Sequence, residues 1–271
     1  MSNTLSAFLA GIVRAGTAYL KPAHRTITRA LVCEKLDPTV TVPVADGVLV
    51  FACPTKRSAW DPNAFFTNEP ETLRWIDTLP EGSVLWDIGA NVGMYALYAA
   101  RQRRCHVVAF EPSAATYAVL CENLHRNGLD ELVDAYCLAL AGETKLDRLY
   151  MADAAAGHAL HAFGQTQNVL GQIRKPVMQA VPGFTIDRFI EVFGAAPPDH
   201  VKLDVDSIED RIIWGGAETL RRHTKSILVE FEPGAPAAAL PITAALTALG
   251  FAEDKGFARA EDRRNHLFRR S

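Results

Sequence analysis

No two cysteines in this chain form a C-x-x-C pair, and the five present (Cys33, Cys53, Cys105, Cys121 and Cys137) make an odd number. This pattern excludes a disulfide framework or a zinc site as the organising device and points to a reducing compartment, the cytoplasm. No apolar run approaches the roughly 18–20 residues that cross a bilayer. Neither sign of charge dominates: 28 basic residues face 31 acidic ones, a net charge of −3. Such a balance gives no general attraction for nucleic acid. A segment of the "NPPY" type, which would handle a flipped base, is also missing, so nucleic acid is not an expected partner. Internal repeats and low-complexity linkers are absent too, and the 271 residues read as one α/β domain with an N-terminal extension.

What is present is a globular composition, 49 % hydrophobic and 22 % charged, with length enough for a sizeable core. Near the N-terminus "LSAFLAGIV" places Leu5, Phe8, Leu9, Ile12 and Val13 on one helix face. The simpler reading packs that face on the domain or on a second copy in a homo-oligomer; the alternative is contact with a membrane surface. After irregular chain to about residue 40, "TVTVPVADGVLVFAC" alternates around Asp46-Gly47 as a hairpin. The extension is assigned to residues 1–67 and the catalytic domain to 68–271. Basic residues at the C-terminus (Arg263, Arg264, Arg269, Arg270) read as a solvated face.

From residue 68 onward strands and helices alternate. Helix is expected at 68–79, strand at 84–90, helix at 93–103, strand at 106–112, helix at 115–127 and strand at 133–141. A loose stretch rich in Ala, Gly, Gln and His covers 152–184. A helix at 186–193, strands at 200–207 and 226–233, a helix at 240–249 and a final strand through "HLFRR" complete the pattern. Repeated β–α units imply a mostly parallel sheet with helices on both faces, and its ligands sit beyond the carboxyl ends of the strands. Those ends carry Asp87 with Gly89, Glu111, Ala139 to Gly142, Asp204 with Asp206, and Glu230 with Glu232.

The first turn reads D-x-G-x-N-x-G: Asp87, Gly89, Asn91, Gly93. A dinucleotide site would want G-x-G-x-x-G, but Asn91 and Met94 occupy the second and third glycine positions. Asn91 tolerates a left-handed backbone, so the turn survives, while a pyrophosphate could not lie as close. The pattern suits S-adenosylmethionine, which has no phosphate: Gly89 and Gly93 leave room for its methionine portion and Asp87 is placed to meet the ammonium. Glu111, 22 residues after Gly89, is suited to accept both ribose hydroxyls, or else simply favours a helix N-terminus. Pro112 follows it, and the adenine ring is expected at Leu140 and Ala141, with Asn123 nearby.

The segments "DIGANVGMYALYAA", "VVAFEPSAATYAVLCENLHRNG", "KLDVDSIEDRIIWGGAETL" and "ILVEFEP" resemble the FkbM family of S-adenosylmethionine-dependent methyltransferases. The resemblance extends from about Glu69 to the C-terminus and takes in "FFTNEPETLRWID" and "GFTIDRFI". It implies a Rossmann-like class I methyltransferase fold with seven strands, the last antiparallel, and O-methylation, commonly on sugar or polyketide hydroxyls, so that a small-molecule or glycan acceptor is the expected partner. Ser207 departs from the family pattern, which has glycine after the second acid of that segment.

Methyl transfer to an aliphatic hydroxyl calls for a positioned acceptor and a general base. Candidates are Asp204, Asp206 and Glu230 at neighbouring strand ends, and His158 in "GHALHAF", whose ordinary pKa suits the task. Glu209 and Asp210 follow at a helix start. The same acids could hold a divalent cation; the base reading is preferred and no metal site is assigned. Two alternatives to the transferase remain: a nicotinamide-dependent oxidoreductase or epimerase on a similar layered fold, and a cofactor-binding assembly protein without turnover.

Overall fold

A computed structural model describes residues 2–168, 171–205, 208–231, 236–257 and 264–270. Asp206, Ser207, Glu232 and Arg263 lie outside the described residues. The chain forms two compact units, 1–39 and 40–271.

The first unit is a pair of helices, α1 (Ser2–Gly16) and α2 (Pro22–Leu36). Irregular chain was expected where α2 runs. Pro22 sits in its first turn, where a missing N–H costs nothing, so the proline starts the helix. Two arginines of α2 reach back: Arg25 donates to the carbonyls of Ala18 and Leu20 in the connection, and Arg29 to Thr17 Oγ1 and to the carbonyl of Arg14 in α1.

The second unit opens with the hairpin β1 (Thr39–Val44) and β2 (Gly47–Ala52). Three helices follow, α3 (Lys56–Asn63), α4 (Phe65–Asn68) and α5 (Pro70–Asp77). Thr55 and Ser58 form a reciprocal capping box that starts α3. The alternating region then runs β3 (Val84–Ile88), α6 (Met94–Arg103), β4 (His106–Phe110), α7 (Ala114–Asn127) and β5 (Val133–Tyr136). An insertion carries β6 (Ala139–Leu140), β7 (Lys145–Met151), β8 (Ala162–Phe163), β9 (Gln167–Asn168), β10 (Gly171–Gln172) and β11 (Val177–Phe184). The chain resumes with α8 (Ile186–Phe193), β12 (His200–Leu203), α9 (Glu209–Gly215), α10 (Ala217–His223) and β13 (Ser226–Glu230). It ends with α11 (Pro236–Ala248), β14 (Phe251–Glu253) and β15 (Asn265–Arg270).

The main sheet has seven strands in the order β14-β15-β13-β12-β3-β4-β5. Neighbours from β13 to β5 run parallel, and β15 runs antiparallel to both β13 and β14. This is the Rossmann-like arrangement expected, reversed last strand included. Side chains alternate across it: Leu85, Val107 and Ala109 join one core with α5, α6 and α7, while Trp86, Ile88, Val108 and Phe110 join the other with α8 and α11. After β3 the chain progresses through β4 and β5 in one direction; β12 then lies on the other side of β3. The crevice beyond β3 and β12 is therefore the switch point where such sheets bind ligands.

Two expectations about this region need correction. The strand expected at 133–141 is two strands in two sheets, and the stretch taken as loose supplies two of the four strands, β8 and β11, of a second sheet ordered β6-β11-β7-β8. Its long strand β11 buries only alternate residues near its end and contains Pro182, opposite Leu146, so neither hydrophobic run nor composition announced it. The strands expected at 200–207 and 226–233 stop at Leu203 and Glu230, so Asp204 lies just beyond its strand and Glu230 is the last residue of the other.

The hairpin is fastened to α7 by two buried amides. Asn123 Oδ1 accepts from the Ala52 N–H at 2.7 Å while its Nδ2 donates to the Val92 carbonyl at 2.8 Å. Asn127 exchanges both bonds with Val50, at 2.9 and 2.8 Å. Asn123 is thus a structural clamp and not an adenine contact. Replacing it by the near-isosteric Leu strands a buried N–H and a buried carbonyl, at about 1–3 kcal/mol each. Urea unfolding of Asn123→Leu is expected to show a loss of about 2–5 kcal/mol.

Candidate active site

The turn between β3 and α6 is built from left-handed residues, Gly89 at φ +87° and Asn91 at φ +49°. Gly89 is dictated by a close approach: a Cβ there would stand 1.8 Å from the backbone oxygen of Asp204, at the end of the neighbouring strand. The Asp204 N–H in turn donates to the Ile88 carbonyl at 3.0 Å. Strand β4 holds the turn from the other side, since the N–H groups of Gly89 and Ala90 both donate to the Phe110 carbonyl at 3.0 Å. Glu111 completes the hold: one carboxylate oxygen accepts from the Asn91 N–H at 3.0 Å and the other from the Ser113 N–H at 2.8 Å. The residue also borders the cavity above.

Two cavities meet over this turn. The first, about 110 Å³, has one largely apolar side made by Phe110, Pro112, Leu138, Ala139, Leu140 and Phe163, with Glu111, Asn91, Asp204 and the two histidines His158 and His161 as its polar lining. The second, about 600 Å³, is a polar cleft over Gly89 and Asn91, bordered by Asp204, Glu230, Lys202 and Tyr95 and by Arg57, Trp60 and Arg264. Asp204, Asn91, Gly89 and His158 border both. Ala141 borders an adjoining cavity instead. Gly93 packs against Leu97 and Leu120 at the start of α6.

Under the cleft lies a buried cluster of charge. Lys202 is the only buried lysine or arginine among the described residues. In the sheet it stands beside Asp87, on the same face. Its ammonium lies 2.8 Å from Asp204 Oδ2 and 5.0 Å from the centre of the Tyr95 ring. Burial alone would strip its proton, but Asp204, Glu69 and Asp87 together drive its pKa upward, so it stays charged. Asp87 is 1 % exposed and neither carboxylate oxygen completes a hydrogen bond. Burial raises its pKa to about 6, against the pull of Lys202 and a weaker one from the Ala96 amide.

Asp204 and Glu230 act as one unit. Burial would raise Asp204, but Lys202, a hydrogen bond from the Glu230 carboxyl and Arg264 hold it below its ordinary value. Glu230 is pushed far up, first by the charge of Asp204 and then by burial, although Arg264 Nη1 lies 3.6 Å away. The pair therefore carries one proton near neutral pH, on Glu230, with the negative charge on Asp204. His158 stands at the rim, 3.6 Å from Asp153, and is 37 % exposed. His161 is the more buried histidine; burial lowers its pKa to about 4, so its ring is neutral, and neither nitrogen has a partner.

The two outer walls are latched together. Thr55 Oγ1 donates to the Ala156 carbonyl at 2.7 Å, Arg57 Nε to the Gly157 carbonyl at 3.4 Å, and a Cβ on Gly157 would meet the Ser58 backbone at 2.8 Å. The α3 wall, with Trp60 and Arg57, was not foreseen from sequence. Its only signal is the Thr55-x-x-Ser58 cap. Lys202 and Glu69 were also missed. A lysine inside the apolar strand "HVKL" is the cue that could have found the first.

Residues 87–256 match the family described as Methyltransferase FkbM domain. The chain belongs to that family. It is a methyltransferase that uses S-adenosylmethionine, and the nicotinamide-dependent alternative falls away. No curated protein matches. Among solved structures the chain is similar to a methyltransferase FkbM from Methylobacillus flagellatus, at 14 % identity, 77 % of this chain, 52 % of that one and a TM-score of 0.48. It is similar to a precorrin-6y C5,15-methyltransferase from Geobacter metallireducens, at 14 % identity, 74 % and 86 % coverage and TM-score 0.43. TYW2 of M. jannaschii, solved in complex with AdoMet, gives 11 % identity, 87 % and 88 % coverage and TM-score 0.44.

The residues present fit the cofactor. The first cavity offers an apolar side for a flat base and a carboxylate for a diol. The Gly89 turn has no room even for a Cβ, and Asn91 Oδ1 is a buried acceptor without a partner at the junction of the two cavities.

The orphaned Asp87 carboxyl makes a prediction about stability. A carboxyl whose folded pKa exceeds its unfolded value leaves stability intact below the unfolded pKa, near 3.8, and removes it as pH rises through about 6. Asp87→Asn should therefore unfold at the same denaturant concentration as the parent near pH 4. By pH 8 it should be more stable by about 1–3 kcal/mol. Equal stability of the two proteins across that range would show that Asp87 titrates normally.

Proposed function

We propose that this enzyme is an O-methyltransferase whose acceptor is a hydroxyl of a sugar, free or within a glycan. The observation that carries the reading is the makeup of the larger cleft. An indole, Trp60, stands 61 % exposed beside the proton-sharing carboxyl pair Asp204–Glu230. An exposed aromatic face beside hydrogen-bonding side chains suits the apolar face and hydroxyl edge of a sugar ring. Arg57, 3.9 Å from Asp61, and Arg264, 3.6 Å from Glu230, border the same cleft and add hydrogen-bond donors for the hydroxyls of an acceptor.

The cofactor, when bound, supplies an activated methyl group on a sulfonium. The chain's own residues do the rest. Trp60 and the two arginines orient the acceptor, and the carboxyl pair faces its hydroxyl. Asp204 is the better base of the two because it carries the negative charge, and Lys202 keeps it so by stabilising the anion. Accepting the hydroxyl proton leaves the pair with two protons; one of them must return to solvent through the open side of the cleft to restore the singly protonated resting pair. His158 at the rim is placed to pass that proton outward. The odd number of cysteines without a C-x-x-C pair supports residence in a reducing compartment such as the cytoplasm.

The test is transfer of labelled methyl to a panel of hexoses, hexuronic acids and their nucleotide-diphosphate forms. With an accepted sugar, Asp204→Asn should lower kcat by about 10²–10⁴-fold while S-adenosylhomocysteine still binds. Trp60→Ala should raise KM for the sugar with a smaller effect on kcat. Cofactor binding with no transfer to any sugar would favour the alternative of an assembly protein without turnover; transfer to a non-sugar hydroxyl would retain the O-methyltransferase and replace the acceptor.

A further inference from the structure

The helix pair α1–α2 takes no part in the site described above. Four large apolar side chains of α1 are more than half exposed: Leu5 at 58 %, Phe8 at 65 %, Leu9 at 51 % and Ile12 at 52 %. They recur at three- and four-residue spacing and so form one stripe, with Asn3, Ala7, Ala10 and Arg14 on the opposite side. On α2, Ile27 and Leu31 are exposed as well, and no side chain of that helix is buried. Apolar faces of this kind on a folded element mark a surface that meets something.

Charge says what. Residues 1–33 contain Arg14, Lys21, Arg25 and Arg29 and not one acid. The chain's 28 basic residues less these four leave 24 against 31 acids, so the remainder carries a net −7 while this segment carries +4. Glu34 and Lys35 near the end of α2 cancel, so the helix pair as a whole keeps the +4, and an element apolar along one face and net cationic complements a surface that is apolar inside and anionic outside. Length agrees: a 15-residue helix spans about 22 Å, short of a bilayer core of about 30 Å, and among the described residues no helix is long and apolar enough to cross. The helix would lie in the interface and not through it.

We propose that α1–α2 is a docking element for the surface of an anionic lipid bilayer. The Arg25 and Arg29 bonds to carbonyls of residues 14, 18 and 20 hold the two helices as one piece, so the cations of the connection and of α2 approach the headgroups together with the apolar stripe. Binding then has two separable parts, apolar burial that salt leaves intact and headgroup attraction that salt screens.

The experiment is flotation of the full-length protein with vesicles of phosphatidylcholine alone or with about one third phosphatidylglycerol, at low and high salt. The protein is expected to float with the anionic vesicles, with at least tenfold less bound to neutral ones and a marked loss at high salt. The double variant Phe8→Glu, Ile12→Glu should abolish flotation. Its affinity for S-adenosylhomocysteine, read by titration, should be unchanged, which shows that the catalytic unit still folds. Absence of the parent protein from the anionic vesicle fraction would overturn the proposal. So would a parent that is dimeric by sedimentation and a double variant that is monomeric, because the stripe would then be an interface between two copies.

Discussion

One ammonium group organises the centre of this enzyme. Lys202 sits in the middle strand of a parallel sheet, 2 % exposed, where a lone charge would be strongly unfavourable. It persists because Asp204 lies in direct contact and Asp87 and Glu69 are close by. More acids than bases converge there, so the surplus must be handled by protons. Asp87 titrates near 6 and Glu230 keeps its proton far above the ordinary range. Removing Lys202 would leave several buried carboxyls with no cation among them, so the proton-sharing pair depends on it although it need not touch an acceptor.

The same place in the sheet explains why the glycine turn and the acids are neighbours at all. Parallel strands β3 and β12 end side by side, and the backbone of Asp204 passes so close to residue 89 that only glycine fits. Cofactor turn and carboxyl pair are thus fixed to one another by main-chain contact. The Ile88–Asp204 hydrogen bond sets their spacing before any flexible side chain is considered.

Much of this was legible in the sequence. Period-two and helical apolar patterns gave the strands of the main sheet and their order of appearance, and the D-x-G-x-N-x-G turn announced its handedness through Gly89 and Asn91. Asp204 and Glu230 could be gathered because strand ends in such a sheet share one edge, and His158 because its segment falls between strands on the ligand side; the structure brings those three to one cleft. What could not be read had physical causes. Strand β11 contains a proline and buries few residues, so its pairing with β7 is a tertiary fact with no local signature. Trp60 and Arg57 reach the cleft from a helix roughly 140 residues upstream of Asp204, and no periodicity encodes such a meeting. The protonation of Glu230 depends on Asp204, Glu69 and Lys202 jointly, a property of the assembled cluster and not of any one segment.

The latch between Thr55 and Ala156, with Ser58 seated against Gly157, has a consequence for descent. One wall of the larger cleft comes from the stretch ahead of the main sheet and the other from the segment between β7 and β8, and they are joined by close contacts. Selection for a new acceptor could not reshape one wall while keeping the other. Lineages that change substrate should carry paired replacements around positions 55–61 and 153–161, while the glycine turn and the strand bearing Lys202 stay as they are.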